Sequence, residues 1–245
     1  MTVSETSPRL KARIAGAFYL LTIPTAVFAE LIVRGKVVVS GNAAATATNI
    51  LAHEPLFRLG FASDLIATAC YIAVTALFYG LFKPVNRSLS LLAAFFSLVG
   101  CAIGAFSCLF HLAPLVVLGG APYLSVFKLE QLQALALMFL KLRAQASNIG
   151  IVFFGFYCLL IGYLVFRSTF LPRILGALMA FAGLGWLTYL SLPLVNHLSP
   201  YNLASAIFAE LSLMLWLLML GVNVQRWREQ ASAAAEREPL ALIGT

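Results

Sequence analysis

Glu210 falls near the middle of the apolar run SAIFAELSLMLWLLMLGV, nine residues beyond Tyr201. As a helix, that places it ~14 Å along the axis. A carboxylate at such depth in a membrane-spanning helix is costly and is functional by default. Glu30, Asp64, His111 and Asn148 fall at the ends of other apolar runs, and Arg58 precedes Asp64 by six residues. Three chemistries would use this set. Carboxylates with an imidazole suit a divalent metal such as zinc or manganese. A carboxylate that changes protonation state would bind a proton or cation during transport. Arg58 with Asp64 would hold a lipid headgroup or a small polar ligand. Each has a plainer alternative. Glu30 and Asp64 close to an interface would simply be solvated. A lone His111 would be a neutral packing residue. Glu210 would be hydrogen-bonded to Ser205, Ser212 or Asn148 as interhelical glue.

Soluble-enzyme signatures are missing. The chain has no GxSxG, no HExxH and no phosphate loop. His111 is the one histidine inside an apolar run, and His53 and His197 fall in connections, so bis-histidine haem and three-histidine zinc sites are disfavoured. Cys70, Cys101, Cys108 and Cys158 all sit in apolar runs with no CxxC spacing. The sequence therefore names no cofactor and no catalytic residue, and an enzyme is not the favoured reading.

The elements that must position these residues follow from hydropathy. Of 245 residues, 62% are hydrophobic and 10% charged, which excludes a soluble domain. Six runs approach or exceed the length of a membrane helix: 14–33, 60–82, 89–112, 149–167, 172–194 and 202–224. Placing the N-terminus inside puts ten Lys and Arg on the inner side and six on the outer side, so both termini are expected in the cytoplasm. The net charge of +7 then reports orientation and attraction to anionic lipid, not nucleic acid.

Two outer loops are long. In the first, Asn42 is placed to cap a short helix that Pro55 would end. In the second, residues 119–147, apolar residues recur at mostly helical spacing with Lys128, Lys141 and Arg143 between them, which predicts an amphipathic helix. Gly155 with Gly162, and Gly176 with Gly183, lie seven apart, and Gly100 with Gly104 forms GxxxG; such small-residue faces let helices approach closely. The fold class is all-α: an integral membrane bundle of six helices over 13–228, a cytoplasmic tail at 1–12 and a disordered tail at 229–245.

Three stretches carry a resemblance: RIAGAFYLLTIP at 13–24, NILAHEPLFRLGF at 49–61 and FFGFYCLLIGYLVFRSTFLPRILG at 153–176. They resemble the bacterial membrane-protein family catalogued as domain of unknown function 4386, over about residues 10 to 225. The resemblance implies a multi-helix bundle in the bacterial cytoplasmic membrane and supports the span count. It supplies no activity. Arg13, His53, Glu54, Arg58, Arg167, Arg173 and Gly176 match the pattern without roles to transfer.

The expected function is binding, transport or sensing of a small molecule, ion or lipid through an outward polar cavity around Glu210, with Asp64, Glu30, His111, Asn148 and Arg58 as ligand-binding residues. An intramembrane metal-dependent hydrolase acting on lipid is one alternative. A structural partner subunit of a membrane complex is the other. Expected partners are the lipid bilayer, a small-molecule or lipid ligand, and a second copy of the chain or another membrane protein, with no nucleic acid.

Overall fold

Runs of apolar residues without water can satisfy their backbone groups only by forming helices. The computed structural model, which describes residues 7–243, shows this in six helices long and apolar enough to cross a membrane. They are α1 (Pro8–Val37), α3 (Glu54–Phe82), α4 (Arg87–Leu118), α5 (Leu129–Arg167), α6 (Arg173–Leu190, its last turn 3-10) and α8 (Tyr201–Met219). Shorter helices are α2 (Ala43–Ala52) and α7 (Leu192–Leu198), and α9 (Val224–Ile243) follows the last span. No strand occurs among the described residues.

Element boundaries differ from the sequence reading in four instructive places. The helix predicted within 119–147 is not a separate element. It begins at Leu129 and runs on through the fourth span as one 39-residue helix. Neither Gly nor Pro interrupts Leu129 to Asn148, and the run is rich in Leu, Ala, Gln and Lys, so nothing breaks the helix before the span begins. Asn42 does cap α2, accepting from the Ala45 N–H at 2.9 Å, but Pro55 sits in the first turn of α3 rather than ending α2. A first turn tolerates proline because its N–H has no intrahelical partner. The last span stops at Met219, where Gly221 at φ +69° closes the helix and its N–H bonds Trp216 O at 3.0 Å. Finally, residues 229–243, expected to be disordered, continue helix α9. Their Ala, Glu, Arg and Gln content favours helix, whatever its polarity. Residues 244–245, and residues 1–6 of the predicted N-terminal tail, lie outside the described residues.

The chain divides into two compact units. The first takes the described residues of Met1–Leu20, Ile72–Gly100 and Ile151–Thr245; the second takes Leu21–Tyr71 and Cys101–Gly150. Close backbone approach organises the first unit. Gly155 and Gly162 of α5 face Gly183 and Gly176 of α6, and a methyl group built on Gly176 would stand 2.6 Å from both Gly162 O and Phe166 N. Lipid tails are as apolar as leucine, so such van der Waals contact holds helices together where the hydrophobic effect does not. Ala206 and Ala209 of α8 meet Ala182 of α6 in the same way, with Trp186 packed alongside. The second unit is centred on Val33, Val37, Ile50, Phe57 and Leu140.

Within that unit, α1 changes its winding. Residues Phe28–Arg34 form π-helix, and the Gly35 N–H bonds Glu30 O, an i to i−5 link. A π segment re-aims the side chains it carries and recurs at functional sites. Here it carries Glu30 and Arg34.

Candidate functional site

In the second unit, Asp64 of α3 is held between two guanidinium groups. Arg34 Nη1 donates to Asp64 Oδ2 at 2.9 Å, and Arg143 Nη2 of α5 donates to the same oxygen at 3.1 Å. Arg34 also donates to Glu30 Oε2 through Nε at 2.7 Å and through Nη2, while Arg143 Nη1 lies 3.8 Å from that oxygen. Two cations thus meet two carboxylates and the group is neutral. Its members are unequally buried. The side chains of Arg34, Arg143 and Asp64 are 10%, 8% and 15% exposed, that of Glu30 62%. Asp64 is therefore the interior pivot and Glu30 the outer edge.

His111 of α4 is fully buried in the same unit. Its ring stacks on Phe57 with centroids 4.1 Å apart, and Nε2 lies 2.9 Å from the Phe57 carbonyl. A carbonyl can only accept, so Nε2 carries the proton and Nδ1 presents a lone pair. Among the described residues, that Nδ1 has no hydrogen-bond partner, and neither does Arg143 Nε. His111 and Cys108 lie within electrostatic reach of Asp64, Arg34 and Arg143.

The remaining predicted residues fall elsewhere. Arg58 is exposed and pairs with Glu54 one turn earlier at 2.8 Å, not with Asp64. Asn148 is half-buried on α5 and makes no side-chain hydrogen bond among the described residues.

Glu210 belongs to the first unit. Its partners are not Ser205, Ser212 or Asn148. Ser205 and Ser212 bond back to the carbonyls of Asn202 and Phe208 in their own helix. Instead Tyr19 of α1 donates its hydroxyl to Glu210 Oε2 at 2.7 Å, and Trp186 of α6 donates its indole N–H to Oε1 at 2.6 Å. The Cys158 thiol of α5 lies 3.9 Å from Oε1. Four helices thus converge on one carboxyl, and no Lys, Arg or His is paired with it among the described residues.

The residues that sequence reasoning missed are Arg34, Arg143, Tyr19, Trp186 and Cys158. Arg34 had a readable signal, standing four residues after Glu30 where a helix would pair them. Arg143 gave no such signal, because the amphipathic pattern of 119–147 puts its cations between the apolar positions, where they read as a polar face. Tyr19, Trp186 and Cys158 sit in apolar runs, where each reads as packing. Among the described residues, no three of His, Cys, Asp and Glu come together as a metal site would require.

Six apolar helices with charged side chains satisfied inside the bundle define a multi-pass α-helical membrane protein. The profile of the family described as domain of unknown function (DUF4386) matches residues 14–221, and the chain belongs to that family. An uncharacterized protein of Archaeoglobus fulgidus is 26% identical over 153 residues, which cover 61% of this chain and 76% of that protein. No solved structure matches the chain.

Proposed function

We propose that the chain binds a small molecule, ion or lipid within the membrane, for transport or sensing, with Glu210 as the group that takes up and releases a proton or cation. One observation carries this reading. Glu210 has a donor on each oxygen and no cationic partner among the described residues. Ionised, it accepts from both the Tyr19 hydroxyl and the Trp186 N–H. Protonated, it can donate to the Tyr19 oxygen, because a phenol serves as donor or acceptor and the indole keeps its own bond. The site therefore has satisfied partners in both states. Asp64 does not, since losing its charge would leave two buried arginines with only Glu30 between them.

The metal-dependent hydrolase reading draws no support from the side-chain grouping among the described residues. Placement of both termini in the cytoplasm rests on the Lys and Arg distribution, and placement in a bacterial cytoplasmic membrane on the family resemblance; both are part of the proposal.

Infrared spectroscopy of the chain in proteoliposomes tests it. The C=O stretch of a protonated membrane carboxyl should appear and vanish on titration, and Glu210→Gln should abolish it. A spectrum without that band at any pH, or one unchanged in Glu210→Gln, would sink the proposal.

A further inference from the structure

The first unit contains a large open cleft that the reading of Glu210 does not use. Its volume is about 1770 Å³, and among the described residues six cationic side chains line it: Lys11, Lys83, Arg87, Arg167, Arg173 and Arg226. Among the described residues a single carboxylate, Glu229, lies with them. The cations come from four separate places in the chain: the start of α1, the α3–α4 turn, the α5–α6 connection and the start of α9. With six helices crossing in alternation, these four places fall at one end of the bundle.

The wall formed by α9 is fixed in place. Trp227 donates its indole N–H to Leu81 O at 2.9 Å, the Thr169 N–H donates to Gln230 Oε1 at 3.0 Å, and the Asn223 N–H donates to Phe170 O at 3.2 Å. Most of the cations remain unneutralised. The side chains of Lys11, Lys83 and Arg167 make no hydrogen bond or ion pair among the described residues, and Arg173 lies over the Phe166 ring at 5.6 Å. The N-terminal turns of α4 and α6, at Arg87 and Arg173, also line the cleft and add the positive ends of their helix dipoles. Like charges gathered in one concavity focus potential and draw in a counter-ion.

We propose that this cleft is a binding site for a phosphate-bearing anion of more than one negative charge, either a lipid headgroup or a soluble diphosphate. Guanidinium groups hold phosphate oxygens in pairs, and the lysines add point charge. The volume exceeds that of sites for drug-sized ligands, about 300–1,000 Å³, and leaves room for more than one phosphate.

The test uses the full chain in neutral detergent, read by native mass spectrometry. Cardiolipin and phosphatidylcholine are the lipid probes and pyrophosphate is the soluble one. Retention of cardiolipin over phosphatidylcholine identifies the lipid source, and retention of pyrophosphate identifies the soluble one. In either case Lys11→Gln with Lys83→Gln should weaken binding about 25-fold, about fivefold per cation. Arg167→Gln provides a second variant, with about a fivefold loss. Equal retention of both lipids without pyrophosphate binding would overturn the proposal. So would variants that bind as the unaltered chain does.

Discussion

Replacing Asp64 by Asn tests whether the ion-pair group is a stability element built around an interior pivot. The change keeps the side chain's shape and removes its charge. Arg34 and Arg143, whose side chains are 10% and 8% exposed, would then share only Glu30. Breaking a buried ion pair by removing one partner costs about 3–5 kcal/mol, because the other charge is left behind. Glu30 still accepts from Arg34, so the lower end, about 3 kcal/mol, is expected. For a chain of this length, that corresponds to roughly 6–12 °C in apparent melting temperature. The assay is thermal unfolding in one detergent, followed by circular dichroism. Glu30→Gln is the internal control. Its side chain is 62% exposed, so its loss should cost only about 1 kcal/mol. A third variant, Asp64→Leu with Arg34→Met and Arg143→Met, removes the three buried charges together. It should recover most of the loss, because apolar replacement of a buried charge group is often neutral or better. Equal melting of Asp64→Asn and Glu30→Gln would refute the assignment of Asp64 as the pivot.

Three further outcomes are expected. Gly176→Ala should destabilise by about 1–3 kcal/mol in the same melting assay, since its new methyl meets α5 backbone at 2.6 Å, whereas Gly80→Ala, with nothing within 4 Å, should not. Glu210→Leu should cost about 2–4 kcal/mol by leaving the Tyr19 and Trp186 donors without an acceptor, and Glu210→Gln about 1 kcal/mol because its carbonyl still serves one of them; equal costs would argue against the two-donor geometry. Cys70, Cys101, Cys108 and Cys158 are all buried and outside any disulfide, so a maleimide should leave the native chain unlabelled by mass spectrometry and modify four sites after denaturation in sodium dodecyl sulfate.

Much of the fold was readable because hydropathy and backbone satisfaction dictate it. Six spans, the Asn42 cap and the seven-residue glycine spacing are local properties. Helix ends were less readable, because stopping a helix needs a breaker. Residues 129–148 contain none, and Gly221 does its work three residues before the apolar run is exhausted. The polar centres were half readable. Carboxylates in apolar runs announce a cost, so Glu30, Asp64 and Glu210 stood out. Their partners did not. Tyr19 and Trp186 look like any buried aromatic until a third helix brings a carboxyl to their polar atoms. Arg143 looks like a loop cation until the helix carrying it turns that face inward.

The two carboxylates at membrane depth differ in what chemistry they leave open. Asp64 accepts from Arg34 and Arg143 at once, and its charge balances theirs. Any ligand that displaced one arginine would have to supply a replacement charge, so this centre resists change more than it responds. The atoms it leaves open are the His111 Nδ1 and the Arg143 Nε–H, each buried without a partner among the described residues. Glu210 is held by neutral donors instead. Neither Tyr19 nor Trp186 fixes its charge, and the phenol can reverse its role. A cation arriving at Glu210 would compete with hydrogen bonds alone, not with a resident salt bridge. On that ground we propose Glu210, rather than Asp64, as the group that responds to a proton or cation, with Asp64 as a rigid element. The order would reverse if Asp64→Asn proved harmless to folding while removing the titrating carboxyl band.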